Sequence, residues 1–116
     1  MERMMIVEDH SAFAQALGLI LGDSTRISLA RTLEEGRALI RTGEPFDLVV
    51  LDLSLPDGEG TELIPEIRHR YPHTRVVVLS ARDDVAEVAS EAGADAAIPK
   101  ETPLPDIISS LERLTE

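Results

Sequence analysis

The chain has 116 residues, 22 acidic and 11 basic, a formal net charge of -11 and no cysteine. That length suits one domain, which buries on the order of two-thirds of its unfolded surface without staples. The composition excludes disulfides and thiolate metal sites, and its acidity argues against this domain itself gripping nucleic acid, whose phosphates need a basic face.

The first apolar run, Met4 to Val7, reads as a short strand. It is too short for a signal peptide or a membrane span, so a cytoplasmic location is expected. Glu8 and Asp9 follow directly. Phe13, Leu17, Ile20 and Leu21 recur at helical spacing, which predicts a helix over about 11 to 21, stopped by Gly22-Asp23-Ser24. Ile27 to Ala30 is a second strand. Thr32 and Glu35 resemble a slightly displaced capping box before a helix from Leu33 to Arg41. Gly43, Glu44 and Pro45 break the chain. Leu48 to Leu51 is a continuous apolar strand, the habit of parallel sheets covered on both faces. It ends in Asp52. Turn formers follow, then a helix from Thr61 to Arg70 in which Pro65 delays or kinks the first turn. Arg75 to Leu79 is a fourth strand ending at Ser80. Asp83 to Ala92 reads as a helix terminated by Gly93. Ala96 to Ile98 is a fifth strand before Pro99 and Lys100, and a last helix spans about 105 to 114. Five strands alternating with five helices predict a parallel sheet with helices on both faces.

In such a sheet the carboxyl ends of the strands share one edge, where open α/β folds place their ligand sites. That edge should collect Glu8, Asp9, Asp52, Ser80 and Lys100. Each alone has an ordinary explanation as a cap, a helix-start acid or a solvated lysine, and singly that explanation is the better one. Jointly they make a chemical site. Two carboxylates at ~4 Å repel by roughly 4 kcal/mol at an effective dielectric near 20. They either take up protons or recruit a cation, and a hard oxygen site suits Mg²⁺. A lysine and a serine can hold phosphoryl oxygens, and a carboxylate can accept a phosphoryl group. Phosphoryl transfer chiefly needs positioning and neutralised charge.

The joint pattern resembles the receiver domain of bacterial two-component response regulators. The matching stretches are I-V-E-D-H at 6 to 10, D-L-S-L-P-D-G-E-G at 52 to 60, V-V-V-L-S-A at 76 to 81 and G-A-D-A-A-I-P-K at 93 to 100. The likeness runs over essentially all of residues 1–116. It implies a flavodoxin-like strand order 2-1-3-4-5. It implies Asp52 as phosphoacceptor from a sensor histidine kinase, and Mg²⁺ held by Glu8, Asp9, Asp52 and the backbone carbonyl of Ser54. Ser80 and Lys100 would bind phosphoryl oxygens, while Pro56 and Gly60 shape the loop after the acceptor. Such a domain is a switch that assists its own phosphorylation, not an enzyme. The wording at 9–10 and 52–57 is most similar to regulators with a C-terminal helix-turn-helix domain, so transcription is the expected output and DNA is met only through a separate domain. His10 then reads as a subgroup marker and not a ligand, with His69 and His73 exposed.

Two departures stand out. The family usually carries an aromatic three positions before the lysine, where this chain has Ala97. The interval from Ser80 to Gly93 is a couple of residues short. Both touch the face that reads out phosphorylation, and that in the family often forms homodimers through the fourth and fifth helices. The expectation is weak coupling or another route, with the fourth helix moving. Three rivals compete with the phosphorylatable switch. A pseudo-receiver, acting as a phosphate-independent interaction module, is favoured by Ala97. A haloacid-dehalogenase-like phosphatase would need an acid where Ser54 stands. A flavodoxin would need amide and hydroxyl donors where residues 8–12 are acidic.

Overall fold

A computed structural model describes residues 3–21 and 25–114. The strands are β1 (Arg3–Val7), β2 (Arg26–Ala30), β3 (Leu48–Leu51), β4 (Ser54–Leu55), β5 (Gly58–Glu59), β6 (Arg75–Ser80) and β7 (Ala96–Pro99). The helices are α1 (Ser11–Leu21), α2 (Leu33–Ile40), α3 (Ile64–Arg70), α4 (Val85–Ala92) and α5 (Leu104–Leu114). Five strands form one parallel sheet in the order β2-β1-β3-β6-β7, which is the expected 2-1-3-4-5 once the short antiparallel ribbon β4-β5 is set aside. The stop at Gly22-Asp23-Ser24 lies outside the described residues.

The central strands are apolar on both faces because both faces are covered. One layer packs Val7, Val49, Leu51, Val76 and Val78 against α2, α3 and α4 through Leu33, Ile40, Ile64, Ile67, Val85 and Ala89. The other packs Ile6, Val50, Val77 and Leu79 against α1 and α5 through Leu17, Leu21, Ile107 and Leu111. The alternation of side chains along each strand divides the core this way.

Helix starts depart from the sequence reading where local bonds compete. Thr32 caps α2, its Oγ1 accepting from the Glu35 amide at 3.1 Å. Glu35 reaches back one residue further than a capping box requires, to the Arg31 amide at 3.4 Å. The expected helix over 61–70 opens as a 3₁₀ turn, Gly60–Leu63, and turns α-helical only at Ile64, because Pro65 has no amide to give and is tolerated only in a first turn. The helix expected from Asp83 begins at Val85. The Asp84 carboxylate is taken by Arg82 at 2.8 and 3.0 Å, and Asp83-Asp84 form a turn. Gly93 ends α4 at φ 85°, in the left-handed region that glycine enters freely.

The amino-terminal edge of the sheet is fastened by polar bonds. Arg68 donates to the carbonyls of Thr74 and Gly93 and to Asp95, which also accepts from the Val76 amide at 2.7 Å. Tyr71 donates to the Ile40 carbonyl, and buried Thr74 to that of Phe46.

Candidate functional site

The opposite edge holds the expected groups. Hydrogen bonds continue one step beyond the strands and fix the backbones there: Glu8 N to Ala30 O at 2.8 Å, Asp52 N to Val7 O at 2.9 Å, Lys100 N to Ser80 O at 2.9 Å. Glu8 and Asp52 are buried, at 3% and 4% exposure, while Asp9 is exposed. Lys100 reaches across them. Its Nζ lies 2.9 and 2.8 Å from the two Glu8 carboxylate oxygens and 3.0 Å from Asp52 Oδ2. The Phe13 ring stands 5.2 Å from the same ammonium.

One ammonium does not balance three carboxylates. Oxygens of Glu8, Asp9 and Asp52 lie within 4.8 Å of one another, and the His10 ring nitrogen belongs to the same group. Burial pushes the Glu8 pKa up from 4.5; the bond from Lys100 opposes this, and repulsion from Asp52 adds to it. Burial works against the Lys100 charge, but the bonds to Glu8 and Asp52 outweigh it and raise the lysine pKa. The edge is therefore electron-rich, desolvated and still negative.

Ser80 is buried one step further along β6, its Oγ accepting from the Arg82 amide at 3.2 Å. The Ser54 amide donates to Asp52 Oδ1 at 3.2 Å. Pro56 is exposed in the turn between β4 and β5. Gly60 lies directly beneath the acceptor position. Its amide donates to Leu53 O at 3.1 Å, and a Cβ there would meet the Asp52 carbonyl oxygen at 2.0 Å. Ala97 is half-buried, paired with Val78 and packed on the layer that holds Val85 and Ala89. His69 and His73 are exposed, as read from the sequence.

Three residues escape the sequence reading. His10, set aside as a marker, has its amide 3.0 Å and its Nδ1 3.1 Å from Glu8 Oε1. Asp57 accepts from the first amides of α2, Leu33 at 2.8 Å and Glu34 at 3.1 Å; the Leu33 bond leads the depression of its pKa. Arg82 bonds Glu59 at 2.8 Å as well as Asp84, and so joins the ribbon to the start of α4. The P-D-G wording signals only a turn, and a cap supplied from 24 residues away leaves no local trace. For His10, its place beside two acids was the available signal.

Residues 4–112 match the response regulator receiver domain family. The chain belongs to that family. It is 42% identical over 98 residues to the KDP operon transcriptional regulatory protein KdpE of Escherichia coli, covering 82% of this chain and 43% of that protein. Among solved structures it is similar to the non-phosphorylated HemR receiver domain of Leptospira biflexa, with a TM-score of 0.89 and 34% identity over 100% of this chain and 95% of that one. It is also similar to TrrA of Thermotoga maritima in complex with Mg²⁺-BeF, with a TM-score of 0.84 and 25% identity over 98% and 99% of the two chains. This receiver spans between 21% and 55% of the length of the first three curated relatives it matches. Among the described residues, no helix is long and apolar enough to cross a membrane.

Proposed function

We propose that this receiver takes a phosphoryl group onto Asp52 from a phosphohistidine of a sensor kinase, in a Mg²⁺-dependent reaction in the cytoplasm. The reading is carried by one observation. Lys100 and two buried carboxylates, Glu8 and Asp52, are locked together at 2.8 to 3.0 Å at the carboxyl edge of a parallel sheet. The donor set fits a hard dication: the carboxylates of Glu8, Asp9 and Asp52, with the Ser54 backbone carbonyl proposed as a further oxygen. A bound Mg²⁺ would neutralise negative charge shared between carboxylates and phosphoryl oxygens.

The residues divide the remaining work. An Asp52 oxygen forms the bond to phosphorus while the phosphorus–nitrogen bond to the donor imidazole breaks, and the imidazole keeps the electron pair. Lys100 shifts from the free carboxylate to a phosphoryl oxygen as a mobile point charge. Ser80, whose oxygen is already an acceptor for Arg82, keeps its hydroxyl proton for another phosphoryl oxygen. Gly60 leaves room beneath Asp52. The domain is consumed and restored as an acceptor and is not an enzyme in its own right. Its output is a changed interaction surface controlling transcription, with homodimers as one form of that surface and DNA met by a separate domain. With Ala97 in place of an aromatic, the route of readout runs through α4, to which Arg82 already ties the acceptor loop.

Ala97 also favours a second reading, a phosphorylation-independent interaction module. Intact mass after incubation with acetyl phosphate separates the two. A phosphoryl adduct on the native chain, lost in Asp52→Asn or on chelation of Mg²⁺, is the expected result. No adduct under conditions that label another receiver selects the second reading.

A further inference from the structure

His10 places a nitrogen donor where the proposed cation site otherwise offers only oxygen. One of its ring nitrogens and one oxygen each from Glu8, Asp9 and Asp52 all lie within 4.8 Å of one another. The backbone turns back on itself to put it there: the His10 amide donates to Glu8 Oε1 at 3.0 Å, and the ring Nδ1 stands 3.1 Å from that oxygen and 3.5 Å from Lys100 Nζ. The ring edge therefore faces the carboxylates, while the side chain as a whole is 74% exposed. A side chain so exposed can change its torsions without opening the core. The other two histidines, His69 and His73, are exposed and join no such cluster among the described residues.

Donor type decides which dication such a set prefers. Mg²⁺ demands oxygen ligands and keeps its water, whereas imidazole suits the later first-row dications. Three carboxylates, one imidazole and one lysine carry two net negative charges, so a dication makes the cluster neutral whichever metal supplies it. Neutral charge does not discriminate between metals; the nitrogen does. A neutral imidazole ligates through one ring nitrogen and keeps a proton on the other, which here can bond the Glu8 carboxylate.

We infer that His10 is a metal ligand of this receiver, and that it shifts the site's preference from Mg²⁺ towards borderline transition dications such as Mn²⁺, Co²⁺ or Zn²⁺. This rests on the dication reading above and specifies which dication the site favours. Glu8, Asp9 and Asp52 supply the charge that draws any divalent ion, and His10 supplies the selectivity.

The test uses the full chain with Mg²⁺, Mn²⁺ and Co²⁺ as chlorides, comparing the native sequence with His10→Gln and with a His69→Gln, His73→Gln control. Titration calorimetry should find Co²⁺ at least about tenfold tighter than Mg²⁺ on the native chain, with that ratio collapsing in His10→Gln and surviving in the control. Pulsed electron paramagnetic resonance of bound Mn²⁺ should show coupling to an imidazole nitrogen, again lost only in His10→Gln. Circular dichroism checks that each variant is folded, and the exposure of all three rings makes that the expected result. Metal bound without nitrogen coupling, or coupling that survives His10→Gln, overturns the assignment of His10 and leaves the dication reading standing. A native chain that binds none of the three ions overturns both.

Discussion

Replacing Lys100 by Met removes the one cation from a desolvated cluster of acids while keeping most of its apolar stem. At an effective dielectric near 20, the ammonium attracts the Asp52 oxygen 3.0 Å away by roughly 5.5 kcal/mol, and attracts Glu8 by about as much. Carboxylate pairs within 4.8 Å repel by at least roughly 3.5 kcal/mol on the same scale. Those gross energies are offset by the desolvation that Lys100 no longer suffers. They are limited further because Glu8, whose pKa burial already raises, can take up a proton. Breaking a buried pair by removing one partner typically costs 3–5 kcal/mol. Proton uptake places Lys100→Met near the lower end, about 3 kcal/mol at pH 7 with chelator present. The pH dependence has a fixed sign. A Glu8 raised above its ordinary 4.5 binds its proton more tightly when folded. The stability of the variant is therefore fullest below that ordinary value and is lost as pH rises through the folded one. Urea unfolding followed by far-ultraviolet circular dichroism measures the difference, with and without Mg²⁺. Mg²⁺ at ten times its Kd stabilises by about 1.4 kcal/mol, so adding it narrows the gap only to the extent that the variant, with no ammonium competing for its carboxylates, binds the ion more tightly than the native chain. A variant as stable as the native chain in chelator at neutral pH would refute this account of the cluster.

Three further outcomes are expected. Gly60→Ala drives a methyl into the Asp52 carbonyl at 2.0 Å and should cost about 3 kcal/mol in urea unfolding, together with loss of the phosphoryl adduct in the mass assay, because the backbone under the acceptor must move. Thr32→Ala frees the Glu35 amide and should cost about 1 kcal/mol by the same unfolding assay. In Asp95, desolvation pushes the pKa up, but the Val76 amide and Arg68 together win and hold it below 3.8. Asp95→Asn should therefore lose roughly 1 kcal/mol after solvent screening. That gap is full above 3.8 and closes as the pH of the urea titration falls through the depressed value.

The parallel sheet and the site edge were legible because both follow from pattern. An apolar run bounded by turn formers marks each central strand, and parallel strands bring the residues after them to one side. That logic placed Glu8, Asp52, Ser80 and Lys100. It gave no reach to side chains, so it could not tell that Lys100 bridges Glu8 and Asp52, or that the His10 ring faces the acids. Helix starts were misjudged where a side chain had a better local partner, as Asp84 does in Arg82. The ribbon β4-β5 is two residues per strand and carries no period for the sequence to display.

The stretch after Asp52 ties three helices to the acceptor loop. Asp57 holds the first amides of α2, Glu59 and Glu62 cap each other at the turn that leads into α3, and Glu59 holds Arg82 before α4. All three helices cover the same face of the sheet. On the other face Lys100 meets the acceptor beside the Phe13 ring of α1, and His10, whose carbonyl accepts from the Ala14 amide of α1, joins the same cluster. An event at Asp52 is therefore wired to α2, α3 and α4 through the side chains of one short ribbon. Spectroscopic labels on α2, α3 or α4 would record it.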